Sequence, residues 1–268
     1  MLFPLYQVDA FTDRVLSGNP AAVMPLADWL PDLLLQAFAD ENHLSETAFL
    51  VPSASPDFDF ELRWFTPLAE VPLCGHATLA SAHVLFRHRG FTGKKIRFST
   101  KSGLLEAALE GEEIVLDFPA RPAEPVPVPP ELAAALRAEP LEVYRARSLL
   151  VVVRDEETVR KLEPDIAAIA RLDVQGVIVT AEGDDPEVDF VSRYFAPRVG
   201  IPEDPVTGSA HCTSAPYWAE RLGRTELRAH QVSARGGRLR CRIRGDRVLL
   251  GGAAATYLEG YARLMKES

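Results

Sequence analysis

Two short segments of this sequence have features that bind anions. Gly75-His76-Ala77 and Gly208-Ser209-Ala210 each open an alanine-rich stretch, which predicts the first turn of a helix. Small residues there let a ligand approach the backbone, where free N–H groups and aligned peptide dipoles attract negative charge. A carboxylate or a developing enolate oxygen would suit such a site. Glycine followed by a small residue is also a common structural turn, so each segment alone leaves both interpretations open.

Glu46 is the predicted proton carrier. It stands directly before the apolar residues 47–51, which predict a buried strand. Its carboxylate could therefore be held partly out of water, the condition under which enzymes use carboxyl groups to take and return protons near neutral pH. The alternative is a solvated loop acid with a structural role or none.

Three more side chains flank the predicted helix starts. His76 could relay a proton, and we expect a neutral imidazole at the positive end of a helix; capping a turn is the equal alternative. Asp204 could accept a hydrogen bond from a substrate or simply stabilise the second helix by its charge. Cys74 could be a nucleophile or an acid–base group. The corresponding residue of the second segment is Thr207, which excludes a pair of opposed thiols.

The two segments belong to a longer internal repeat. Arg63-Trp64-Phe65-Thr66-Pro67 is similar to Arg193-Tyr194-Phe195-Ala196-Pro197, and matching stretches lie on both sides of each copy. A shared order at an offset of about 130 residues predicts two copies of one fold unit. Glu46 has no acidic counterpart in the second copy, and an asymmetric residue in a duplicated scaffold is a candidate for chemistry.

The repeat also predicts the architecture. Residues 75–89 and 208–222 read as helices that are apolar on most sides, and such helices are usually buried all round. Pro216 lies inside the second and should kink it or remove one of its hydrogen bonds. The segments around both read as meandering strands. We therefore expect an α/β (or α+β) fold of two pseudo-symmetric duplicated domains, each a curled, mostly antiparallel sheet around a central helix, with the active site in the cleft between them.

Proline-rich residues 119–130 mark the predicted domain boundary. So many prolines exclude helix or sheet and favour a stiff extended connector. The predicted domains are residues 1–118 and 119–268, with the extreme C-terminus free to pack back on the first.

Composition restricts the partners. The chain has 268 residues and a net charge of −9, which argues against nucleic acid or an anionic membrane as a partner. Three cysteines form no even framework, and no export signal or long apolar run is visible, so a cytoplasmic protein is expected. Zinc bound by Cys74, His76, His211 and Cys212 is disfavoured, because the last two are neighbours on a predicted helix and point about 100° apart. We expect no metal.

Together the motifs are specific enough to indicate a family. The chain resembles, over nearly its full length, the PhzF-like phenazine-biosynthesis family, which has the diaminopimelate-epimerase-like fold. The resemblance rests on residues 6–11, 18–21, 44–49, 74–78, 203–210 and 231–237. It implies cofactor-free isomerisation by proton transfer on carbon, and a homodimer. It also implies that Glu46 is the general acid–base and that His76, Asp204 and Ser209 surround the substrate. Cys74 departs from the phenazine enzymes, which usually carry a small residue there, and matches the epimerases.

The expected activity is thus a cofactor-independent isomerase that moves a proton on a small carboxylate-bearing substrate. The predicted catalytic residues are Glu46, His76 and Asp204. The predicted substrate-binding residues are Asn19, Cys74, Gly75, Ala77, Thr207, Gly208 and Ser209. Two alternatives stay open: a non-catalytic protein that binds small acids, and a Cys74-dependent epimerase or hydrolase.

Overall fold

The structure, a computed structural model, describes residues 1–265. The strands are β1 (Leu2–Ala10), β2 (Asn19–Pro25), β3 (Glu46–Pro52), β4 (Phe60–Phe65), β5 (Glu70–Val71), β6 (Lys95–Thr100), β7 (Gly103–Glu110), β8 (Glu113–Pro119), β9 (Glu124–Pro125), β10 (Glu142–Arg145), β11 (Leu149–Val152), β12 (Val177–Glu182), β13 (Phe190–Ala196), β14 (Ile201–Asp204), β15 (Glu226–Gln231), β16 (Gly237–Arg244), β17 (Arg247–Gly252) and β18 (Ala254–Arg263). The helices are α1 (Asp32–Asn42), α2 (Gly75–Arg87), α3 (Leu132–Leu136), α4 (Glu156–Arg160), α5 (Ile166–Arg171) and α6 (Gly208–Leu222). The mixed α/β class predicted from the sequence is confirmed.

The chain divides into two compact units. Unit 1 contains Met1–Asp117 and the described chain from Gly251 onward, and unit 2 contains Phe118–Leu250. Unit 1 therefore takes strands from both ends of the sequence: β18 pairs antiparallel with β1 from Ala10↔Ala254 to Leu2↔Arg263.

The sheet of unit 1 is mostly antiparallel and curls around α2. Its strands pair in the order β18–β1–β2–β3–β4–β6–β7–β8, with β2–β3 and β4–β6 parallel. Helix α2 contacts β18 at one edge and β7 near the other, as well as β1, β2 and β3. Strands so far apart in the order reach one helix only if the sheet bends around it.

Helix α2 is buried because most of its side chains are apolar or small. Small side chains along it, from Ala77 to Ala82, are buried together with Val84 and Leu85. The helix ends at the C-cap His88, and Gly90 follows with a φ of +69°. That φ lies in the left-handed region, which glycine enters without steric cost. The predicted buried helix and its glycine stop are both confirmed.

The strands of unit 2 are also mostly antiparallel. They pair in the order β9–β10–β11–β12–β13–β15–β16, with β11–β12 and β13–β15 parallel and β14 beside β13. Helix α6 contacts β12, β15 and β16. A separate apolar core joins the short helices to the sheet through Leu136, Val159 and Ile169.

Pro216 removes a helix hydrogen bond, as predicted, and the vacated acceptor has another donor. Proline lacks the N–H that would bond the carbonyl of Cys212, four residues earlier in α6. The backbone N–H of Arg121 donates to that carbonyl oxygen at 2.9 Å. A buried carbonyl left without a donor would be costly, so the contact both satisfies the helix and fixes the segment that carries Arg121.

The expectation that residues 119–130 exclude sheet is wrong in part. Glu124 and Pro125 form β9 and pair with Arg145 and Tyr144 of β10. Proline is compatible with a short edge strand, where its missing N–H can face away from the ladder.

Among residues 1–265, no helix is both long enough and apolar enough to cross a membrane.

Candidate active site

Glu46 is the first residue of β3 and lies inside unit 1. The parallel register of β2 and β3 sets it opposite Ala21, and only 8% of its surface is exposed. The alternative of a solvated loop acid is therefore wrong. Asn19, predicted to bind substrate, begins β2 two residues before Ala21 and is fully buried.

The start of α2 presents backbone amides without helical partners. The N-cap residue is Cys74, in an extended conformation with no side-chain hydrogen bond to the first turn. The first bond of the ladder runs from the N–H of Thr78 to the carbonyl of Cys74, at 3.1 Å. The N–H groups of Gly75, His76 and Ala77 thus have no carbonyl acceptor within the helix, as expected of an anion-binding helix start, although the Ala77 N–H also interacts with the thiol of Cys74.

His76 lies between Glu46 and Cys74, with one ring nitrogen facing each. Its Nε2 is 3.1 Å from Oε2 of Glu46, and its Nδ1 is 3.5 Å from Sγ of Cys74. All three side chains are buried. The Glu46 contact is close but is not aligned as a hydrogen bond, because neither Oε2 nor Nε2 has a hydrogen-bond partner within residues 1–265. Two buried polar atoms in that condition are costly unless a ligand or water completes them.

Burial and charge set the protonation of this group. Burial, and then the nearby Glu46 carboxylate, raise the pKa of the Cys74 thiol to about 11, so the thiol stays protonated at neutral pH. Burial alone would lower the pKa of His76, but Cys74 and Glu46 together raise it well above its usual value.

The raised pKa of His76 runs against the expectation of a neutral ring. A helix start disfavours a positive charge by up to about 1–2 kcal/mol, whereas a buried carboxylate at 3.1 Å interacts more strongly. The raised pKa favours the protonated form of His76 beside Glu46, and a protonated ring can donate a charge-assisted hydrogen bond.

The same three residues have the composition of a metal site, but Glu46 and Cys74 lie on opposite sides of the His76 ring. One ligand atom from each lies within 4.8 Å of the others. A single ion takes its donors on one side of an imidazole. Here Glu46 and Cys74 face opposite nitrogens of His76.

The predicted residues of unit 2 gather at the start of α6. The hydroxyl of Thr207, the N-cap residue, donates to Oδ2 of Asp204 at 2.5 Å, and both residues are buried. Gly208 opens the helix, and the next residue, Ser209, is exposed. The hypothesis that the two helix starts serve one pocket stays a prediction.

Gln231, at the end of β15, holds this turn. It was not among the site residues predicted from the sequence. Its amide nitrogen donates to the carbonyl of Asp204 at 2.6 Å, and its oxygen accepts the N–H of Thr207 at 2.8 Å. Its side chain is fully buried. The available signal was a polar amide in an otherwise alternating strand, within a motif already used to identify the family.

Comparison with known proteins agrees with this geometry. The profile of the family described as Phenazine biosynthesis-like protein matches residues 8–260. The chain belongs to this family. A family member from Pseudomonas aeruginosa, named an uncharacterized isomerase, is 51% identical over 264 residues, covering 98% of this chain and 100% of its own.

Solved structures give the same result. The crystal structure of a phenazine biosynthesis protein of the PhzF family from Enterococcus faecalis superposes with a TM-score of 0.95 at 49% identity, covering 98% of this chain and 100% of its own. A predicted epimerase from Pseudomonas aeruginosa superposes with a TM-score of 0.74 at 25% identity, covering 99% and 100%. The family resemblance drawn from the motifs is confirmed.

Proposed function

We propose that this member of the family is a cofactor-independent isomerase that moves a proton on carbon of a small carboxylate-bearing substrate, with Glu46 as general acid–base. The relative that is 51% identical is named an isomerase, which supports the reaction class. One observation carries the mechanism: a buried carboxylate lies 3.1 Å from a buried histidine without an aligned hydrogen bond.

The charges suit proton removal next to a carboxyl group. Glu46 takes the proton as the C–H bond breaks, and the electron pair moves into the substrate to form an enolate. Glu46 becomes neutral, while His76 keeps its proton. The negative charge has thus moved from Glu46 to the substrate, where His76 and the free amides of the first turn of α2 stabilise it. Glu46 then returns the proton to carbon, at a different atom or on the other face, and the chemistry balances without a cofactor.

The roles of the unit 2 residues belong to the same proposal. Asp204, oriented by Thr207, would accept a hydrogen bond from a substrate amine or hydroxyl, and the amides of Gly208 and Ser209 would bind an anionic group. A cytoplasmic homodimer is proposed from the family resemblance, and light scattering of the purified protein tests the dimer.

Solvent deuterium exchange tests the central step. A panel of small carboxylic acids is incubated with enzyme in D₂O, and deuterium at carbon is measured by mass spectrometry. We expect exchange with the wild type and loss of about 10³-fold or more with Glu46→Gln, with ligand binding kept. Glu41→Gln changes an exposed acid of α1 and should behave as the wild type. Binding without exchange in the wild type would instead support the alternative of a small-acid binding protein.

The contact between Cys74 and His76 favours a second candidate, a thiol-dependent epimerase or hydrolase. The raised pKa of Cys74 argues against it, because the thiolate is the reactive form. Under our proposal Cys74→Ala slows exchange modestly, by less than about tenfold, whereas a thiol enzyme would lose all turnover.

A further inference from the structure

Cys74 contacts His76 in a way that is not needed for binding the substrate or for attacking it. Its Sγ faces Nδ1 of His76 at 3.5 Å, on the side of the ring opposite Glu46. Sulfur at this distance is a weak hydrogen-bond partner.

The chemistry of the ring decides what this contact does. A protonated imidazole has an N–H on each nitrogen, and an N–H buried without an acceptor is costly. Nε2 faces Glu46, so Nδ1 needs a second acceptor, and Sγ is the atom that the structure places there.

The backbone reinforces this arrangement. Cys74 is the N-cap residue and His76 lies in the first turn, so both side chains start from one rigid helix end. The hydroxyl of Thr78 donates to the carbonyl of Cys74 at 2.5 Å, in addition to the backbone bond from the same residue. Two donors of Thr78 thus bind the same carbonyl oxygen and fix the backbone of Cys74, so rotation about χ1 is the simplest way to move the sulfur away.

We propose that Cys74 is a positioning residue: it accepts the Nδ1–H of His76 and thereby holds the ring with Nε2 beside Glu46. The thiol acts through His76 and does not exchange protons with the substrate. The positioning of His76 by Cys74 can be measured without substrate. Its importance for catalysis rests on the proposed function.

Nitrogen-15 NMR titration of His76 in the substrate-free protein tests the inference. In Cys74→Ala, the pKa of His76 should fall by about one unit, the order expected for one lost hydrogen bond to a charged group. Cys74→Ser restores an acceptor of similar reach and should recover most of the loss. Cys74→Val keeps apolar bulk without an acceptor and should behave as the alanine variant does. Cys241→Ala removes another buried thiol, in unit 2, and should leave His76 unchanged.

Three results would overturn the proposal. These are an unchanged His76 titration in Cys74→Ala, a serine variant no better than alanine, or a valine variant that titrates as the wild type. The last would mean that water entering the space left by alanine, and not the missing acceptor, causes the shift. If His76 responds as expected but no carboxylic acid exchanges deuterium, the positioning role stands and the proposed function fails. If exchange depends on Glu46 but the His76 titration is unchanged in Cys74→Ala, the proposed function stands and the positioning role fails.

Discussion

The sharpest quantitative prediction concerns His211, in the first turns of α6. Its side chain is completely buried, and Nδ1 donates to the carbonyl of Thr207 at 2.8 Å. Nε2 has no hydrogen-bond partner within residues 1–265. Burial lowers the pKa of His211 to about 4, although the bond to Thr207 works in the opposite direction. The native protein therefore keeps this histidine neutral well below pH 6.

The sign and size of the effect on stability follow from proton linkage. In the unfolded chain the pKa of a histidine is about 6.5, so between pH 6.5 and 4 the unfolded state binds more protons and stability falls as pH falls. For His211 alone, the loss is about 2 kcal/mol between pH 7 and pH 5 and approaches about 3 kcal/mol at pH 4.

The chain itself supplies a suitable replacement. In α2 the residue at the corresponding position, Thr78, bonds the carbonyl of its own N-cap residue. His211→Thr can thus keep the contact with Thr207 while removing the titrating group. The smaller side chain lowers stability at every pH, by about 2–4 kcal/mol, so the readout is the difference between two pH values and not stability itself.

Urea unfolding at pH 7 and at pH 5, followed by circular dichroism, measures that difference. The wild type should lose about 2 kcal/mol more than His211→Thr on going to pH 5. His43→Gln, which changes an exposed histidine at the end of α1, should lose as much as the wild type. Equal losses in His211→Thr and the wild type would refute the reasoning.

Two further predictions follow from the backbone. Pro216→Ala adds an N–H that competes for the acceptor of Arg121, so hydrogen exchange at the Arg121 amide should accelerate; unchanged protection would contradict the assigned bond. Gly252→Ala would bring a Cβ to 2.5 Å from the buried ring of Phe11, so it should destabilise the protein by about 1–3 kcal/mol in thermal unfolding. Gly260→Ala, whose nearest neighbour would be 3.8 Å away, is the matched control and should be neutral; equal effects would show that space around Phe11 does not matter.

The fold was predictable from local patterns where those patterns are strong. Helix α2 is apolar on most sides and is followed by Gly90, and that combination allows few alternatives to a buried helix. Glu46 could be selected because the second copy has no acid there. Local sequence could not supply the contact between Glu46 and His76, because they lie 30 positions apart and meet only through the register of the sheet. The raised pKa of His76 depends on Cys74 and on that contact, so local sequence alone could not indicate it.

Duplication remains our interpretation, and matching side-chain contacts support it. Arg63 makes a two-pronged ion pair with Glu70 and lies over the ring of Phe65. Arg193 makes the same kind of pair with Glu203 and lies over Phe195. The repeated arginines of the sequence thus have the same surroundings in each unit, although the two residues are far apart in the chain.

The pairing of β18 with β1 has a consequence for protein synthesis. A ribosome delivers all of residues 118–250 before it delivers the strand that completes unit 1. Unit 1 is therefore begun first and completed last. Until β18 is made, β1 lacks its partner strand on one edge while unit 2 folds. A released chain that is truncated just before Ala254 should contain a protease-resistant second unit and a first unit that is still readily cut.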